Sequence, residues 1–136
     1  MPIVLLLLIS LPSFASAEPL LELRIGEADL QAEYARSADE RARGLMERTE
    51  LAADRGMLFR FDDFRRHCLW MKDTPLPLSA AFMDGQGRIV DIIDLQPLDK
   101  TIRCSGEPAR YALEVNQGWF RLHRAGIGDQ VDGIPK

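Results

Sequence analysis

The residues of this chain whose types and spacing suit the handling of a small polar molecule are Trp70, Lys72, Asp73 and Thr74, with Glu114 and Asn116 far downstream. The first group is packed into Trp70-Met71-Lys72-Asp73-Thr74, and the second into Leu113-Glu114-Val115-Asn116. A tryptophan beside short polar side chains supplies an apolar platform flanked by fixed hydrogen-bonding groups, which is the chemistry of sites for small polar ligands and saccharides. Asp73 and Glu114 also have the types of a general acid and general base pair for hydrolysis. A structural reading stands beside both: Trp70 or Met71 faces the core, Lys72 and Asp73 form a solvated tip, and Asn116 is a turn residue.

The cysteines, Cys68 and Cys104, admit two readings. A disulfide between them would close a long loop, with a stabilisation of at most ~4 kcal/mol in the chain-entropy view. The rival is a reactive thiol at Cys68, where Arg65, Arg66 and His67 would favour the thiolate. No Cys-x-x-Cys pair supports a redox centre. His67 and His123 are the histidines of the chain, and their spacing to Asp62, Asp63 or Asp73 resembles no zinc or calcium loop. His67 reads as an ordinary strand-edge residue, and Asp84-Gly85-Gln86-Gly87 as a hairpin turn. The sequence therefore implies neither a metal nor a cofactor.

These residues must be positioned by short elements. Cys68 to Met71 and Ser79 to Met83 read as strands, and Pro75 and Pro77 hold the Lys72-Asp73-Thr74 tip between them extended. Leu20 to Ile25 and Ala28 to Ala35 alternate in polarity about Gly26-Glu27, predicting a hairpin. Ser37 followed by Glu40 matches a capping box, so a helix should run to about Met46, with Gly44 marking a close approach or an early end. Thr49 is placed to cap a further short turn. Met57 to Phe61 reads as a strand, and Gly85-Gln86-Gly87 as the turn of a hairpin joining Ala80–Phe82 to Ile89–Ile93. A long loop is expected from Asp94 to Gly106, a strand at Tyr111–Val115, a short helix at Gln117–Arg124 and a last strand at Gln130-Val131. The predicted class is mainly β: a small barrel or sandwich of short, mostly antiparallel strands with one or two short helices.

A chain of 136 residues, 46% hydrophobic and 28% charged, has the size and composition of one globular domain. A net charge of −4 argues against a nucleic-acid partner, since phosphate binding needs a concentrated cationic face. The arginines between Arg41 and Arg66 are interleaved with Glu47, Glu50, Asp54, Asp62 and Asp63, the pattern of a solvated mixed-charge surface. Pro2 to Phe14 is strongly apolar and ends at Ala15-Ser16-Ala17, so residues 1–17 read as a secretory signal and 18–136 as a single β-rich domain. The apolar run is shorter than the ~20 residues of a spanning helix. The expectation is a periplasmic or secreted protein without a stable membrane anchor after processing.

Taken in order, Arg43-Gly44-Leu45-Met46, Gly56-Met57-Leu58-Phe59, Trp70-Met71-Lys72-Asp73-Thr74 with Pro77-Leu78, Phe82 to Gly87, Leu113-Glu114-Val115-Asn116 with Gly118, and Gly128-Asp129 form a pattern. It resembles the family catalogued as domain of unknown function number 192, across nearly the whole mature chain. The resemblance implies a compact, mainly β domain, often exported, with no established activity and no catalytic residues to carry over. Asp73 stands where that family more often has asparagine, and the cysteine pair is not a general family feature. Two functions remain open. One is an exported accessory or binding domain with a shallow site for a polar ligand or envelope component around Trp70 to Thr74. The other is a small cell-envelope hydrolase using Asp73 and Glu114.

Overall fold

The computed structural model describes residues 9–11 and 18–136; the expected signal segment lies largely outside the described residues. Strands β1 (Leu21–Ile25) and β2 (Ala28–Ala35) form the expected hairpin about Gly26. Helix α1 (Ala38–Arg43) begins with the capping box: Glu40 N donates to Ser37 Oγ at 3.1 Å and Ser37 N to Glu40 Oε1 at 3.0 Å. The helix stops at Gly44 rather than Met46. That glycine sits at φ 48°, outside helical space, and a Cβ on it would lie 3.4 Å from the Phe59 ring. The turn expected at Thr49 forms later, with Arg55 N bonded to Ala52 O.

Strand β3 (Arg55–Arg65) is longer than Met57–Phe61 and pairs parallel with β2. The crossover through α1 makes this possible, because parallel strands cannot be joined by a tight turn. The short β4 (Cys68–Leu69) ends before Trp70 and Met71, and β5 (Leu78–Met83) and β6 (Ile89–Leu95) form the hairpin expected about Gly87. The Asp94–Gly106 stretch is not one loop: β6 extends to Leu95, and β7 (Arg103–Cys104) pairs antiparallel with β4. After β8 (Ala109–Asn116) comes α2 (Trp119–Leu122), shorter at both ends than expected, and then β9 (Val131–Asp132).

The main sheet runs β6-β5-β8-β3-β2-β1-β9, mostly antiparallel. It curls until its edges approach: Ile89 N bonds Asp129 O and Val131 N bonds Gly87 O, both at 2.9 Å. The architecture is thus mainly β, a curled half-barrel sheet with two short helices, in line with the barrel or sandwich class expected. Both of its faces are apolar in the middle. One face, carrying Leu58, Ala81 and Leu113, forms an inner core closed by Trp119 and Phe120 of α2. The opposite face carries Phe59, Ala80, Phe82 and Ala112, covered by Leu45, Met71 and Leu76. This second, outer layer explains why β5 is buried at every residue and lacks half-exposed alternation.

Candidate functional site

Successive side chains of a strand point to opposite faces, so Ala112, Glu114 and Asn116 share the outer face of β8. In the ladder Glu114 sits between Met57 of β3 and Ala80 of β5, neighbours that offer neither charge nor a side-chain hydrogen bond. It is only 5% exposed. Burial alone, with no hydrogen bond or charge opposing it, pushes its carboxyl up to about 8. At neutral pH the group is therefore mainly a neutral acid, able to donate as well as accept a proton in a hydrogen bond.

The carboxyl lines a cavity of about 280 Å³ between the β3–β8 face, the end of α1 and the Cys68–Thr74 segment. Its apolar wall comes from Leu45, Phe59, Phe61, Leu69 and Met71, with Trp70 and Cys68 also on the lining. Arg41 lines it too, but the guanidinium is committed to the carbonyls of Arg36 and Arg60 and to Asp62 at 3.0 Å. Arg43, the remaining charged lining residue, is paired with Glu47 at 3.8 Å.

Of the residues singled out in the sequence, the cavity gathers Trp70, Thr74 and Glu114. Met71 is buried and Trp70 is 45% exposed, so methionine takes the core position and tryptophan the outer one. Lys72 Nζ lies 5.5 Å from the centroid of the Trp70 ring. Thr74 is buried, its hydroxyl donating to Lys72 O at 3.0 Å, which braces the tip. Lys72 and Asp73 are not part of the lining. Asp73 is exposed at φ 53°, and its carbonyl accepts from Glu47 N at 2.6 Å. Asn116 acts as a tether: its Nδ2 donates to Leu51 O at 2.7 Å, fixing the segment before β3.

Cys68 and Cys104 face each other directly in the β4–β7 register with their sulfurs 2.00 Å apart, a bonded pair. Neither is a free thiol. His67 directly precedes β4 and is buried: its ring stacks on Phe61 at 3.8 Å, and its backbone N donates to Ser105 Oγ. His123 packs against Trp119, and its Nε2 is 3.6 Å from Asp54. Among the described residues no group of three or more histidine, cysteine or acidic side chains is arranged to hold a metal. The sequence reading missed Leu45, Phe59 and Phe61 as lining residues. Their signal was present in Met57-Leu58-Phe59 of β3, three consecutive apolar residues that break one-sided alternation, and in the helix-ending Gly44.

Residues 21–133 match the family described as DUF192, an uncharacterized group. Among solved structures, a putative transcription regulator from Sinorhizobium meliloti 1021 is similar at 34% identity and TM-score 0.83, the match covering 88% of this chain and 98% of that one. A protein of unknown function from Novosphingobium aromaticivorans is similar at 29% identity and TM-score 0.78, covering 83% of this chain and 84% of its own. No curated protein gives a significant match.

Proposed function

The chain belongs to the DUF192 family, and from that premise we propose that it is an exported binding domain holding a small polar ligand in the Glu114 cavity. The carrying observation is the carboxyl itself. It is nearly fully buried, receives no hydrogen bond from the described residues, and borders an open cavity with an exposed tryptophan at its edge. No described side-chain oxygen is both sealed and unpartnered, so the Glu114 oxygens reach the open cavity, where a bound ligand would replace water as their hydrogen-bonding partner.

Export rests on the apolar run ending at Ala15-Ser16-Ala17. Cleavage before Glu18 would leave the sheet whole, since β1 begins at Leu21. N-terminal sequencing of protein recovered outside the cytoplasm should read from about Glu18; a species retaining Met1 in the membrane fraction would overturn export. The hydrolase reading has less support, because Asp73 lies outside the cavity lining. The name of the Sinorhizobium neighbour suggests a nucleic-acid role, but here Arg41, Arg48 and Arg65 pair with Asp62, Glu33 and Asp63, leaving those cations internally balanced.

A thermal-shift screen of saccharides, small amines, nucleotides and divalent cations tests the proposal. Stabilisation by one class, without turnover, is the expected result. A flat screen at millimolar ligand would overturn the binding reading.

A further inference from the structure

Resting on that binding reading, we infer that the ligand is a small organic cation carrying a methylated ammonium head, held against the Glu114 carboxylate and the aromatic rings of the cavity.

The lining pairs one carboxyl with the rings of Phe59 and Trp70, with Phe61, one face of which is covered by the His67 imidazole, and with the aliphatic chains of Leu45 and Met71. Anion plus aromatic faces is the chemistry that recognises quaternary and methylated ammonium groups. Such a head has few or no N–H donors, so it asks for little beyond charge and ring faces. A saccharide asks for several hydrogen-bonding partners. The side chains here offer few such partners: the Thr74 hydroxyl already donates to Lys72 O, the Arg41 guanidinium is engaged on Arg36, Arg60 and Asp62, and the free donors are those of Arg43, whose exposed guanidinium is 3.8 Å from Glu47. Size points the same way. About 280 Å³ is at or below the ~300–1,000 Å³ of drug-sized ligand pockets, enough for a headgroup.

The charge inventory of the walls completes the case. From β3 and β5 the strand neighbours of Glu114 are Met57 and Ala80. From α1 the charged lining residues are Arg41 and Arg43, paired with Asp62 and Glu47; the Cys68–Thr74 segment contributes Trp70, Met71 and Thr74 without a charge to the lining. No cation of the described chain neutralises the carboxyl, which is why burial alone sets its titration. Lys72, in the same segment but off the lining, holds its Nζ 5.5 Å from the Trp70 ring centroid, so a ligand head would take the other face of that ring or displace the lysine. Entry of a permanent cation would supply the missing counter-charge. The Glu114 O–H proton would then pass to solvent, leaving a carboxylate paired with the ammonium.

That proton makes the test specific. Calorimetric titration of the whole folded domain with choline and with tetramethylammonium, at neutral pH in buffers of different ionisation enthalpy, should show binding with release of close to one proton. The neutral isostere 3,3-dimethylbutan-1-ol should bind at least about tenfold more weakly and release none. Glu114→Gln should abolish both the proton release and the preference for choline. Trp70→Ala, at an exposed position, should weaken choline more than the isostere, and it carries the test if Glu114→Gln fails to fold. Equal binding of choline and its isostere, or binding of a neutral saccharide such as N-acetylglucosamine in place of choline, would overturn the inference while keeping the binding domain. No binding by any of these probes, in protein shown to be folded, would overturn both.

Discussion

Glu114 is the residue at which the proposed site and the stability of the fold meet, and its titration fixes a sign. Its carboxyl is raised from 4.5 to about 8 by burial, so the folded state holds a proton that the unfolded chain releases near pH 4.5. The resulting stabilisation is fully present below pH 4.5 and is lost as pH rises from there through about 8, on the order of 1 kcal/mol per unit. Glu114→Gln should flatten that slope, with a Tm gain over wild type that is small at pH 5 and large at pH 8. A parallel pH profile for the two proteins would show that the group is solvated in solution. Asp73 gives the opposite kind of prediction. It occupies the left-handed region, which asparagine tolerates better than most residues, so Asp73→Asn should leave Tm unchanged or raise it slightly; a folded variant that had lost a measurable hydrolysis would favour the acid/base alternative. Residue type pointed to Trp70, Thr74 and Glu114. It gave no warning that Asn116 is spent on the Leu51 carbonyl, a contact 65 positions away, because partners that distant are set by the sheet register.

At the scale of elements, local chemistry and the hairpin pairings were readable, and pairing between strands distant in sequence was not. The Ser37–Glu40 box and the turn at Gly87 depend on residues within a few positions of each other, and both are found as expected. The parallel pairing of β2 with β3 depends on α1 folding back across the sheet, and β7 exists only because β4 lies opposite it. Asp99 O and Thr74 O, accepting from Met71 N and Leu98 N, extend this attachment of the Leu95–Arg103 segment to the cavity wall. The Cys68–Cys104 bond spans a separation of 36 residues, so Cys104→Ser should lower stability by at most about 4 kcal/mol under oxidising conditions. It should also weaken any cavity ligand, since the wall would have to be ordered on binding. Unchanged affinity beside a lowered Tm would separate the crosslink from the site. Gly56 supplies a sharper probe of β3 against β8. A Cβ there would lie 2.5 Å from Glu114 O, a clash with backbone, so Gly56→Ala should destabilise by roughly 2 kcal/mol or more, read as a fall in urea midpoint.

The whole molecule depends on how the curled sheet closes, and the closing piece is its last segment. Residues 128–131 bond the start of β6 through Ile89 and Gly87, and β9 pairs with β1 through Ile25 and Arg24. The chain's end therefore joins both edges of the seven-stranded sheet, edges that would otherwise present unpaired backbone groups. The sequence made a barrel or sandwich legible through its strand spacing and glycine turns, but periodicity carries no information about which edges meet. Val131 is buried in the inner core with Leu23, Ile25 and Ile89, and its burial contributes about 1.5–3 kcal/mol. Gly133 fixes the exit, at φ 98° with a would-be Cβ only 2.2 Å from Glu22 O. Gly133→Ala should consequently cost at least a few kcal/mol and selectively increase hydrogen exchange at the Ile89 and Val131 amides. Because the Glu114 cavity lies on the opposite, outer face, choline affinity should be retained at temperatures where the variant remains folded. Loss of protection across β3 and β8 as well would mean that the edge closure and the central sheet unfold as one unit, and that the outer site depends on the inner seam.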